Sequence, residues 1–101
     1  MTIGRIERVS YRYQFAPSVL VEDIHGAWLL AALSCHALFG EARVLGEASH
    51  TLCAGERSLW VHATTSLGVM LNELFQRFLR REYDADSFTV TFIPPPHAKR
   101  R

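Results

Sequence analysis

The chain has 101 residues, 49% of them hydrophobic and 21% charged, which excludes an intrinsically disordered or collagen-like chain and suits one hydrophobic core rather than two. Its formal net charge of +1 conceals basic ends around an acidic body, since residues 13–96 carry five arginines against nine carboxylates. That is the wrong sign for a body that grips phosphates.

Val9, Tyr11, Tyr13 and Phe15 alternate with Ser10, Arg12 and Gln14, and this period of two predicts a strand over 9–15. Pro17 ends it and Ser18 is placed to cap a helix over 19–39, closed by Gly40. The inward stripe expected on that helix is Leu20, Ile24, Ala27, Ala31, Cys35 and Leu38. Its apolar run, 27–39, falls short of the roughly 20 residues that span a bilayer. Small and apolar residues at the even positions from Ala42 to Leu52 predict a second strand, 42–53. Ala54-Gly55-Glu56-Arg57 then forms a turn, with Gly55 suited to the positive φ of a type II′ hairpin, and a third strand follows over 58–63. The register that turn imposes pairs Cys53 with Ser58, Leu52 with Leu59, Thr51 with Trp60, His50 with Val61, Ser49 with His62 and Ala48 with Ala63.

Thr64, Thr65 or Ser66 can cap a second helix over 66–83. Leu67, Met70, Leu71, Leu74 and Phe78 make its apolar stripe, and Asn72, Glu73, Gln76, Arg77 and Arg80 its polar one. A turn at Asp84-Ala85-Asp86 leads to a last strand, 87–93, which Pro94-Pro95-Pro96 ends. The order β-α-β-β-α-β predicts an α+β, two-layer ferredoxin-like sandwich, a four-stranded antiparallel sheet with two helices on one face. It forms a single domain over 1–96, with a basic tail at 97–101.

No phosphate loop, dinucleotide fingerprint, nucleophile elbow, His-Glu-x-x-His or Cys-x-x-Cys motif occurs. Asp84-Ala85-Asp86-Ser87 starts like a calcium loop, but Thr89 stands at the sixth position where glycine is required. His50 and Cys53 are an odd number of residues apart on one strand and so face opposite ways. His62 lies four positions beyond the partner of Cys53, about 14 Å away at ~3.4 Å per residue. No catalytic, cofactor-binding or metal-binding residue is therefore expected, and no enzymatic activity. Cys35 and Cys53 read as reduced thiols, and the first residues lack the apolar stretch of a secretory signal. A cytoplasmic protein without a membrane segment is expected.

Two surfaces carry the functional expectation. The outer face of the first helix presents Glu22, His25, Gly26, Leu29, Leu33 and His36, with an apolar middle, whereas a two-layer domain buries only one side of a helix. The open sheet face presents Arg12, Gln14, Arg43, Leu45, Glu47, Ser49, Thr51, Trp60, His62, Thr89 and Thr91, and an exposed tryptophan there suits stacking or a subunit contact. The leading reading is a non-enzymatic interaction or assembly subunit, binding itself or a larger protein complex through Leu29, Leu33, His25, His36, Trp60, His62 and Thr51. One alternative is a nucleic-acid-binding module using Arg12, Trp60, Lys99, Arg100 and Arg101. Another is a small dimeric α+β barrel-type enzyme or ligand binder using His50 or His62.

Overall fold

A computed structural model describes residues 5–95, with side chains from residue 8 onward. Strand β1 (Arg5–Phe15) is followed by helices α1 (Val21–Phe39) and α2 (Glu41–Glu47), strands β2 (Ala48–Cys53) and β3 (Ser58–Thr65), helix α3 (Ser66–Glu82) and strand β4 (Phe88–Ile93). The sheet order is β2-β3-β1-β4, and every neighbouring pair is antiparallel. Among the described residues the architecture is α+β, an open four-stranded antiparallel sheet with three α-helices, compatible with a two-layer sandwich.

The β2–β3 register is the expected one at all six pairs, from Ala48↔Ala63 to Cys53↔Ser58. The turn between them is different. Ala54–Glu56 form a single 3₁₀ turn, and the left-handed residue is Arg57 at φ 53° rather than Gly55. A left-handed conformation is unfavourable for a side chain this bulky, and anchoring holds it. The Arg57 guanidinium donates to the carbonyls of Ala16 and Val19, while its own carbonyl accepts from the amide of Phe15 at 2.9 Å. The hairpin tip is thereby tied to the β1–α1 connection.

The expected strand at 42–53 is corrected: its first half is helix α2. Gly40 at φ 91° breaks the chain direction after α1, and Glu41, Ala42, Arg43 and Leu45 are good helix formers. Arg43 pairs with Glu47 one turn on at 3.1 Å. Only Val44 of this helix is buried, so it covers an end of the core with one side chain. Helix α1 begins at Val21, and its N-cap position is Leu20, with no side-chain cap from Ser18.

The inward stripe of α1 is Ile24, Trp28, Ala31 and Cys35, whereas Leu20 and Leu38 are exposed. Trp28 meets Phe75 of α3 edge-on at 5.4 Å, and Phe75 meets Tyr13 of β1 at 4.8 Å, so both long helices pack on the same sheet face. On α3 the cap is Thr65, whose hydroxyl accepts from the amide of Leu67 at 3.2 Å. The polar stripe is corrected at Asn72, which is buried and accepts the Tyr13 hydroxyl proton at its Oδ1. The Tyr13 hydroxyl and the Asn72 side-chain oxygen satisfy each other, which offsets the cost of burying them. Met70, expected inside, is exposed.

Candidate interaction surfaces

Leu29 and Leu33 lie on the outer face of α1, as expected, with relative exposures of 47% and 61%. Leu30 beside them is 56% exposed, Leu38 and Phe39 continue the exposure to the end of the helix, and Leu45 adds to it from α2. The expected placement of Leu45, Arg43 and Glu47 on a sheet strand is overturned with the strand itself. A helix with leucines exposed one turn apart, while Ile24, Trp28 and Cys35 fill the core on its other side, is apolar nearly all round.

His25 and His36 do not share that outer face. Both are half-buried; the His25 ring lies 5.4 Å from His50 of β2, which in turn lies 5.0 Å from Trp28. His50 therefore faces the helices, and burial, reinforced by the neighbouring His25, pushes its pKa below the ordinary imidazole value. The Nε2 atom of His36 is buried, with no hydrogen-bond partner among the described residues.

On the opposite sheet face, Trp60 is half-buried rather than fully exposed. Its ring stacks beside His62 at 6.3 Å, with Arg12 6.0 Å above it. Arg12 donates to Gln14 Oε1, and Gln14 donates to the Glu56 carbonyl at 2.6 Å. Ser10 Oγ and Thr51 Oγ1 sit 2.8 and 3.3 Å from the two ring nitrogens of His62. Thr51 is exposed opposite Trp60. Sequence alone placed Arg12, Thr51, Trp60 and His62 on this face; the network through Ser10 and Gln14 emerges only once β1 is laid beside β3.

The pKa of His62 is also lowered, by burial first, then by Arg8 and His50. His50 and His62 lie on opposite faces of the sheet, so one pocket does not use both. Unfolding releases both imidazoles from environments that disfavour protonation, so the unfolded chain binds more protons than the folded one below about pH 6.5. Stability should accordingly decline as pH falls from that value through the lower folded-state pKa values. Thermal unfolding followed between about pH 8 and pH 5 should show this decline, and His50→Gln should flatten it.

A groove of about 570 Å³ separates α1 from the last turns of α3, lined by Glu22, Asp23, Leu30, Phe78, Glu82 and Tyr83 among others. Burial, with Asp23 and Glu82 nearby, raises the Tyr83 phenol pKa. Among the described residues, no three His, Cys, Asp or Glu side chains come together as a metal site, and no helix is long and apolar enough to cross a membrane. Lys99, Arg100 and Arg101 lie outside the described residues. No protein family matches the chain, and no match was found to a curated protein or to a solved structure.

Proposed function

We propose that this chain is a cytoplasmic, non-enzymatic interaction or assembly subunit of ferredoxin-like architecture, which docks protein through the outer face of α1. The observation that carries the reading is the exposure of Leu29, Leu30 and Leu33 on a helix whose opposite side already fills the core. Scattered exposed leucines are ordinary. Several gathered on one short stretch of helix mark a surface adapted to apolar contact. The element order and the sheet order support the ferredoxin-like assignment, with α2 as an added turn of helix before β2.

Leu33→Glu tests the reading. It places a carboxylate in the middle of the face without entering the core, so folding should be unchanged by circular dichroism. Light scattering and native purification should show a lower solution mass or loss of the bound protein. Unchanged mass and an unchanged set of bound proteins would overturn the reading.

One observation favours a second reading, nucleic-acid binding on the open face: Arg12 stands over Trp60, beside His62, a combination suited to a stacked base. Binding of that kind weakens steeply with salt. Trp60→Ala would then reduce affinity for single-stranded RNA without changing solution mass.

A further inference from the structure

Strand β4 is an edge of the sheet, paired with β1 on one side; among the described residues no strand pairs with its other side. Edge strands are ordinarily protected by a charge, a proline, a bulge or a covering loop. Phe88-Thr89-Val90-Thr91-Phe92-Ile93 contains neither charge nor proline, and its register against β1 runs unbroken from Phe88 to Ile93. Strand β2, the other edge, reads Ala48-Ser49-His50-Thr51-Leu52-Cys53 and has no comparable internal order.

The order within β4 is a palindrome about Val90. In an antiparallel pair of identical strands with Val90 opposite itself, Thr89 meets Thr91 of the second copy and Phe88 meets the second copy's Phe92. Each side chain thus faces its own kind, the self-complementarity that a two-fold interface requires. We propose that β4 pairs in this way with β4 of a second copy, about a two-fold axis through Val90, to make one continuous eight-stranded sheet.

The faces agree with this arrangement. Phe88, Val90 and Phe92 oppose Phe15, Tyr13 and Tyr11 and so lie on the helical side. Phe92 is 53% exposed there, although it contacts the Tyr11 ring at 5.5 Å, and the pairing sets the second copy's Phe88 beside it. Thr89 and Thr91 are exposed on the open side, where paired threonines suit a solvated strand junction. The charges on α3 follow the same symmetry. Arg80 lines a groove with Phe88 and Val90, while Glu73 lies at the Tyr11–Phe92 end, near enough to influence the Tyr11 phenol. The two-fold axis turns the Arg80 end of one copy toward the Glu73 end of the other. This inference goes beyond docking through α1: it uses another surface, and it stands whether or not α1 binds anything.

The register is tested by disulfide formation in chains that also carry Cys53→Ser, Cys35 being buried. Position 89 opposes position 91 of the second copy at a Cα separation of about 4.5–5.5 Å, within disulfide range, whereas identical positions are offset by two residues and too far apart. A mixture of Thr89→Cys and Thr91→Cys chains should therefore crosslink under mild oxidation, and neither variant alone should do so. The unmodified protein should sediment at twice the 11.5 kDa chain mass. Thr89→Lys combined with Thr91→Lys, which sets ammonium against ammonium at both outer pairs, should weaken the dimer at least tenfold and leave the monomer folded. A monomer at every concentration, or single variants that crosslink as readily as the mixture, would overturn the pairing. So would a dimer that survives the lysine substitutions; if Leu33→Glu dissolved that dimer, the α1 reading would stand and the β4 pairing would fall.

Discussion

Trp28→Ala should destabilise the protein by about 3–5 kcal/mol, the range for removing a large buried aromatic. Trp28 is almost fully buried and joins two parts of the core: its ring meets Phe75 of α3 edge-on and His50 of β2 at an angle. Alanine would leave a cavity between α1, α3 and the β2 edge, and α1 cannot collapse into it without moving Ile24 and Ala31, which are also buried. A domain of this size has only ~5–15 kcal/mol of stability in total. Chemical denaturation should therefore show a large drop in midpoint or a chain already partly unfolded. Trp28→Phe retains most of the bulk and should fall well short of that loss. In the alanine variant, if it folds, the pKa of His50 should rise toward its ordinary value, because burial is the main cause of its depression. A loss near that of an ordinary surface substitution would show that the α1 core stripe is misplaced.

Gly68→Ala should also destabilise, although alanine is the better helix former by about 1 kcal/mol. A Cβ on Gly68 would lie 2.6 Å from the Glu47 carbonyl oxygen and 2.7 Å from the Ala63 Cβ. Neither can swing aside: the first is backbone at the end of α2, the second a rigid side chain on β3. Overpacking of this kind costs about 1–3 kcal/mol, so the clash outweighs the propensity and leaves a net loss of up to about 2 kcal/mol. The first turn of α3 would also shift against Thr65, whose hydroxyl caps the helix and donates to Glu47. Gly26 in the middle of α1 is the control. A Cβ there meets nothing within 4 Å, so Gly26→Ala should stabilise by about 0.5–1 kcal/mol. Equal effects at the two positions, read from denaturation midpoints, would contradict the close approach of α3 to β3.

The β2–β3 hairpin was legible because two independent signals agree on it. The turn composition indicates which residues oppose each other, and the register it implies gathers Ala48, Leu52, Leu59, Val61 and Ala63 on a common face, which a slip of one residue would undo. The turn geometry was not legible, since the left-handed position falls on Arg57, whose anchors at Ala16 and Val19 lie about forty residues away. Helix α2 is masked in the sequence because small residues at 42, 44, 46 and 48 mimic strand alternation, although the Arg43–Glu47 spacing is a helical signal. The inward position of Trp28 is not legible because α1 is apolar on nearly every side, and a helix without a polar face does not reveal from its sequence which side points inward. Asn72 looked like surface for a comparable reason: the Tyr13 hydroxyl that justifies its burial is 59 residues distant.

The same ambiguity bears on the candidate surfaces. Leu29 and Leu33 fell correctly on the outer face because they sit opposite Ile24 and Cys35, which any inward assignment of α1 would include. Helical spacing alone puts His25 and His36 on that face, yet the His50 ring of β2 takes up His25 and the His36 side chain is half-buried. On the open sheet face alternation sufficed, since β3 residues of even number must point away from Leu59 and Val61. What alternation does not carry is lateral packing, and Arg12 and His62 flank the Trp60 ring so that it is half covered by its own neighbours. The outer face of α1 is therefore the better candidate for apolar docking.

The most direct test of that claim is the reactivity of a thiol placed on the face. In a Cys53→Ser background, Leu33→Cys should react with a water-soluble maleimide at the rate of a free thiol when the purified chain is dilute, because the position is open to solvent. In the native assembly or at high concentration the same thiol should be protected at least tenfold. Protection of that size shows the face covered by protein. Reaction at the free-thiol rate in every state, from the dilute chain to the cell extract, would contradict the proposal that α1 is a docking surface.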